Sequence, residues 1–394
     1  MDGVTLVVVS PLRGFKTPGG KIVLTQKFVD GMYLYRELWK GPILHLCEPA
    51  PGPSDNLDNI EVDQIDPAFR TYCGDLSEDN LRKILPRESL VLSSVGEQFN
   101  SISSICRSLS ISCVYVTEYS VETRKQIARE YQRNVLQGKW AKFRQVQQEK
   151  AQRAAISLAD GVQCNGLPTF NAYQTLGRNP LLFFDNRIEE SMLATNENIE
   201  RRAAKRAKSK KLHLMFSGRL NLMKGVNDLP VVAEHLVQLG VPFEMTICGD
   251  GDYLPQLRKD IAKKGLDDHI NLRGNLDFKT ALVPFVANEV DVFVCCHRQG
   301  DPSCTYIETM ACGVPIVGYG NEAFKALADF SEAGWVTPLA RPRALAERLA
   351  VLYSNPKEIE LAAKTSLRFA EKHTFYKTFT RRIEHLDKIA RSHR

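Results

Sequence analysis

Short, continuous apolar runs recur along the 394 residues, each followed by a turn and then a stretch with helical spacing. The clearest is 4–9 (VTLVVV). A β-rich run without polar alternation is what a parallel strand buried on both faces presents. A helical stretch is predicted at 22–39. Further strands are predicted at 41–47 (GPILHLC), 89–93 (SLVLS), 111–117 (ISCVYVT), 161–164 and 181–184. The rhythm breaks at 199–211 (IERRAAKRAKSKK), where seven basic residues and one acidic residue stand without an apolar stripe. Such a segment reads as a solvated linker or a short surface helix. Alternation then resumes with a strand at 212–216, a Gly/Lys loop and a helix to about 239. Strands follow at 243–248, 270–272, 290–294 and 315–317, with a GDGDY turn after the first of these. The stretch 356–394 reads as helices.

Strands alternating with helices predict an α/β protein. Two such series in 394 residues predict two Rossmann-like domains with parallel sheets facing across a cleft. The boundaries drawn are 1–185 for the first domain, 186–210 for a basic linker and 211–370 for the second domain. The remainder, 371–394, is a C-terminal helix.

Composition changes this picture little. Hydrophobic residues make up 43% and charged residues 25%, ordinary values for a globular chain. The formal charge of +6 favours anionic ligands slightly. Ten scattered cysteines form no CxxC pair, so they read as reduced thiols and support neither a zinc site nor a thioredoxin-like site; no cofactor is expected. The N-terminus lacks secretory-signal features and no apolar run reaches 18 residues, so a cytoplasmic location is expected.

Two segments carry candidate chemistry. In FSGRLNLMKG at 216–225, Arg219 supplies a planar fork and Lys224 a point charge. Together they can offset a diphosphate. Gly218 and Gly225 allow close backbone approach. The second segment starts at Cys295 and runs through Asp301 and Ser303, either of which could cap the following helix. The N-terminus of that helix is a natural phosphate site. Glu308 lies early in it, where a carboxylate can accept two ribose hydroxyls. Read singly, each feature has an ordinary structural explanation.

Together, about eighty residues apart and in this order, they resemble glycosyltransferase family 4, retaining nucleotide-sugar enzymes of the GT-B fold. The resemblance is clearest over 212–320: SGRL…KG, GDG at 249–251, RGNL at 273–276 and the Glu308 helix ending in ACGVPIVG. It extends to TPGG at 17–20. By that resemblance Arg219 and Lys224 form the diphosphate clamp and Glu308 binds the donor ribose. Gly19 and Gly20 close over the phosphates from the first domain. Gly274 and Leu276 belong to a base-recognition strip. Ser303, Cys304 and Thr305 offer backbone amides to phosphate or sugar, and the last helix crosses back to the first domain. The donor implied is a UDP- or GDP-sugar, with no metal. The acceptor implied is a saccharide or a lipid-linked hydroxyl in surface polysaccharide or glycolipid assembly. One departure stands out: the family's earlier glutamate falls at Gly300, with Asp301 one residue later.

Three further expectations follow. His297, at a strand end, is a candidate for sugar or phosphate contact. Glu118, after the strand at 111–117, is a weaker acceptor-side candidate. The stretch 121–153 carries nine basic and three acidic residues, with Ile127, Tyr131, Val135 and Trp140 at helical spacings. It reads as a surface helix with its apolar side on the core, or alternatively as a basic amphipathic helix on an anionic membrane. Two other functions compete: a nucleotide-sugar epimerase of similar shape, and a non-catalytic nucleotide- or polyanion-binding protein. Nucleic-acid binding is not expected, because the basic residues lack interleaved stacking aromatics.

Overall fold

The computed structural model describes residues 3–53, 59–130 and 135–392, with backbone alone at 129–130 and 135–138. The chain forms two compact units. One is Met1–Phe183 with Tyr376–Arg394, and the other is Phe184–Phe375.

The first unit contains β1 (Thr5–Val9), β2 (Phe15–Lys16), β3 (Ile22–Thr25), β4 (Ile43–Cys47) and β5 (Asn59–Val62). They are followed by β6 (Arg70–Cys73), β7 (Ser89–Ser94), β8 (Ser112–Thr117), β9 (Gly161–Asn165) and β10 (Pro180–Phe183). Seven of these form one parallel sheet in the order β10-β9-β8-β7-β1-β4-β6. Its core is built where strand residues such as Val7, Val91 and Tyr115 meet helix residues such as Ile105 and Ile156. The last helix, Phe375–Ser392, is tied to β9. Arg382 Nε donates to Gln163 Oε1 at 2.8 Å, and Gln163 Nε2 donates to the Arg382 carbonyl at 3.0 Å.

The second unit contains β11 (Leu212–Ser217), β12 (Phe243–Cys248), β13 (Ile270–Gly274), β14 (Val292–Cys295), β15 (Ile316–Tyr319) and β16 (Trp335–Thr337). They form a parallel sheet ordered β13-β12-β11-β14-β15-β16. The chain enters at the centre, winds outward to β13, then restarts at β14 on the other side of β11. The loops after β11 and β14 therefore part at the carboxyl edge of the sheet. That is the place where doubly wound sheets hold ligands.

The structure corrects several sequence expectations. Residues 22–25 are a strand rather than the start of a helix, because β3 pairs antiparallel with both β2 and β5 and alternates buried and half-buried side chains. The helix begins only at Gln26. Strands β5, β6 and β16 were not read from sequence. Each is short and buries only one or two residues, leaving too little apolar signal.

Residues 186–210 are no linker. Within them Asn196–Ser209 is an α-helix, begun by a capping box between Thr195 and Asn198, and it belongs to the second unit. Its basic residues do not all face water. Arg202 is buried and donates to the carbonyls of Ala287, Cys312 and Gly313. Arg206 donates to Asp291 at 2.6 Å. Here the cations replace the apolar stripe that a packed helix normally shows.

Candidate functional site

The loop after β11 lies on the GDG turn. Gly218 N donates to the Cys248 carbonyl (3.1 Å), Leu220 N to the Asp250 carbonyl (2.9 Å) and Tyr253 N to the Leu220 carbonyl (3.0 Å). A Cβ at Gly249, whose φ is +127°, would stand 2.0 Å from the Gly218 carbonyl oxygen, so this approach requires glycine. Asn221 Oδ1 then accepts from Lys224 N at 3.0 Å and starts the turn Leu222–Lys224. Gly225 closes that turn at φ +65°, and a Cβ there would lie 1.9 Å from the Cys296 carbonyl oxygen. Arg298 N (3.0 Å) and Gln299 N (3.3 Å) both donate to the Met223 carbonyl. The loops after β11 and β14 are thus laced together through backbone.

That lacing brings Lys224 to Asp301, with Nζ donating to Oδ2 at 2.8 Å. The other oxygen, Oδ1, is buried without a hydrogen-bond partner. Arg219 differs: it is exposed and has no side-chain partner among the described residues. The helix Cys304–Ala311 starts one turn later. Ser303 occupies its N-cap, but neither it nor Asp301 makes a side-chain cap hydrogen bond. Asp301 is committed to Lys224 instead. The N-terminus of this helix carries the positive end of its dipole.

Glu308 sits in the second turn of this helix and is only 8% exposed. Sequence reading left it open to a ligand, but in the structure it has a partner. Arg187 donates from Nε to Oε1 (3.0 Å) and from Nη2 to Oε2 (3.3 Å). The guanidinium also lies 3.9 Å from the centroid of the Phe278 ring. Arg187 was missed because nothing around it in sequence marks it; it is 121 positions from its carboxylate. Its segment is held by Asn186, whose Nδ2 donates to the His373 carbonyl at 2.8 Å, and by Phe375 N donating to the Ile188 carbonyl at 2.7 Å. Cys304 Sγ lies 3.9 Å from Asp185 in the same segment.

His297 is 1% exposed. Burial, with the Lys224 charge second, pushes its pKa well below the usual imidazole range, so the ring is neutral. Its Nδ1 is 3.3 Å from the Tyr306 hydroxyl, and Nε2 has no partner. Asn321 donates to both the His297 carbonyl (2.9 Å) and the Tyr306 hydroxyl (3.3 Å). Gly274 (φ +66°) ends the edge strand β13 and accepts from Gly249 N at 2.8 Å, with Leu276 half-buried just beyond.

The remaining candidates belong to the first unit. Gly19 and Gly20 form the exposed tip between β2 and β3, where Gly20 N donates to the Thr17 carbonyl at 2.9 Å. Glu118 is exposed just after β8. Among the described residues no group of three or more His, Cys, Asp or Glu could hold a metal ion. All ten cysteines are free thiols, nine of them buried.

Residues 197–370 match the family model of glycosyl transferases group 1. The amylovoran biosynthesis glycosyltransferase AmsK of Erwinia amylovora is 28% identical over 187 residues, 44% of this chain and 45% of that protein. The chain spans between 35% and 45% of the length of the curated relatives it matches. Anabaena HepE, solved in complex with UDP, superposes with a TM-score of 0.67 at 13% identity, over 98% of this chain and 99% of that one. Sucrose-phosphate synthase from Thermosynechococcus elongatus gives 0.64 at 14% identity, covering 99% of each chain. The fold is that of the GT-B glycosyltransferases.

Proposed function

We propose that this protein is a glycosyltransferase that moves a sugar from a nucleoside-diphosphate donor to a hydroxyl acceptor. The carrying observation is the gathering, at the switch point of the second sheet, of Lys224, the N-terminus of helix Cys304–Ala311 and Glu308. The match to glycosyl transferases group 1 spans this region, and relatives such as AmsK are named for polysaccharide biosynthesis.

In this reading the donor diphosphate is met by Arg219, Lys224 and the backbone donors at Ser303, Cys304 and Thr305. Charge develops on the diphosphate as the anomeric bond breaks, and preorganised positive groups stabilise that transition state. Asp301 holds Lys224 in place until the diphosphate competes for it. Its carboxylate, one position beyond Gly300, is assigned to the donor sugar, together with His297. Glu308 accepts the ribose hydroxyls, while Gly218, Gly274 and Leu276 line the nucleoside side. The acceptor hydroxyl attacks the face that the diphosphate vacates and gives its proton to a diphosphate oxygen, so the transfer retains configuration and needs neither a protein nucleophile nor a metal. Family 4 assignment, a UDP- or GDP-sugar donor, a cytoplasmic location and the roles of Gly19, Gly20 and Glu118 belong to the same proposal.

A thermal-shift series with UDP-, GDP-, ADP-, TDP- and CMP-sugars tests it, with Arg219→Ala in parallel. A donor at a hundred times its dissociation constant stabilises by about 2.7 kcal/mol. The reading expects one nucleotide class to shift the wild type and to fail on the variant. No shift with any donor would remove its physical basis. Recovery of an epimerised nucleotide sugar instead of transfer would replace it with the epimerase.

A further inference from the structure

The helix Val135–Leu158 leaves two large aromatic side chains in solvent. Trp140 is 65% exposed and Phe143 60% exposed, with Val146 exposed beside them. Ala141 is the buried position of this stretch, and Gln145, Gln148 and Glu149 are half-buried on the same side. The expectation that the apolar side of this segment faces the core is therefore corrected at Trp140. Tyr131 and Val135, the other markers of that face, lie outside the residues whose side chains are described.

The same outward face carries Lys139, Lys142 and Lys150, all exposed and without an ionic partner among the described residues. At 100° per residue, positions 139, 143, 146 and 150 fall within about 60° of one another, flanked by 140 and 142. No acid sits among them. Arg144 at the margin is already neutralised by Glu97, with Nη2 donating to both carboxylate oxygens at 3.0 and 3.2 Å. Glu149, on the inward side, is taken by Arg124 and Arg153. The helix is much too polar to cross a membrane.

We propose that this face is a docking surface for an anionic lipid bilayer, with Trp140 and Phe143 entering the headgroup boundary and the three lysines pairing with lipid phosphates. Charge complementarity selects the occupant. Exposed aromatics interleaved with uncompensated lysines suit an interface that is apolar below and negative above. Each lysine contributes about fivefold to the partition coefficient on an anionic surface. None of its residues is among those assigned to the donor, so the proposal stands independently of the transfer reading.

The test is flotation of the full chain with phosphatidylcholine vesicles, with and without 30% phosphatidylglycerol, at two salt concentrations. The wild type is expected to float only with the anionic vesicles, and less at high salt. Lys139→Glu/Lys142→Glu/Lys150→Glu is expected to lower partitioning more than a hundredfold. Trp140→Ser/Phe143→Ser is expected to lower it about tenfold or more. Both variants alter exposed positions and are expected to keep the wild-type melting temperature. Failure of the wild type to float with anionic vesicles overturns the proposal, as does undiminished flotation of either variant. Equal capture of the wild type and the aromatic variant by polyuridylic acid, with none by vesicles, would assign the lysines to a polyanion instead.

Discussion

At the residue scale, the two cations of the loop after β11 stand in different states, and their substitutions should differ accordingly. Arg219 is exposed and unpaired among the described residues, so Arg219→Ala should leave the melting temperature unchanged. Its effect should fall on turnover, lowering it about a hundredfold or more, the equivalent of about 3 kcal/mol. Steady-state kinetics beside a melting curve separate the two, and a destabilised variant with normal turnover would contradict the role. Arg187 behaves in the opposite way. Arg187→Met strands the Glu308 carboxylate, of which only a tenth is exposed. Breaking a fully buried pair costs about 3–5 kcal/mol. Because the Arg187 side chain is 43% exposed, about 1–2 kcal/mol is expected here, read from urea unfolding. Gly225→Ala should be more damaging than either. It combines a left-handed φ with a Cβ 1.9 Å from a carbonyl oxygen, and about 2–4 kcal/mol together with a displaced Lys224 is expected.

At the scale of elements, the helix Asn196–Ser209 shows how a charge-rich segment earns a place in a fold. Its N-terminus is closed reciprocally, since Asn198 N donates to Thr195 Oγ1 (3.4 Å) and Thr195 N donates to Asn198 Oδ1 (2.8 Å). Its buried Arg202 donates to carbonyls at the end of helix Cys304–Ala311, the same element that carries Glu308. Thr195→Ala should therefore cost about 1 kcal/mol without altering donor affinity. Chemical denaturation alongside a donor titration checks both halves. A loss of affinity equal to the loss of stability would show that the cap supports the site itself.

At the scale of the whole molecule, stability should fall on mild acidification in both units, because each buries a neutral histidine. His45, in the first unit, is fully buried against Phe28, with ring centroids 4.6 Å apart, and burial lowers its pKa to about 3. His297, in the second unit, is lowered well below the ordinary range. In the unfolded chain both protonate near 6.5. Below about pH 6.5 the unfolded state therefore binds the extra protons, and stability drops by about 1.4 kcal/mol per pH unit for each histidine. For His45 the loss continues down to about pH 3, and above 6.5 neither group contributes a slope. Urea midpoints at pH 7.5 and 5.5 should differ in this sense. His45→Gln should flatten the slope of the transition that belongs to the first unit; an unaltered slope would contradict this account.

The sequence by itself determined those features whose physical cause is local. Continuous β-rich runs such as 4–9 and 243–248 have no comfortable exposed state, so the central strands and the α/β class were readable directly. The loop at 216–225 and the helix bearing Glu308 were readable as elements for a related reason: glycines, a strand end and an N-cap position are signalled by neighbours in the chain. Tertiary structure decided what depends on distant partners. The antiparallel role of residues 22–25, the packing of a basic helix through Arg202 and Arg206, and the clamp of Arg187 on Glu308 all join positions far apart. The same holds for the outward turn of Trp140, since helical spacing fixes which residues share a face but not which way that face points. Hydrophobic periodicity records that a side chain will be buried or paired, whereas the identity of the partner arises only once the fold has closed.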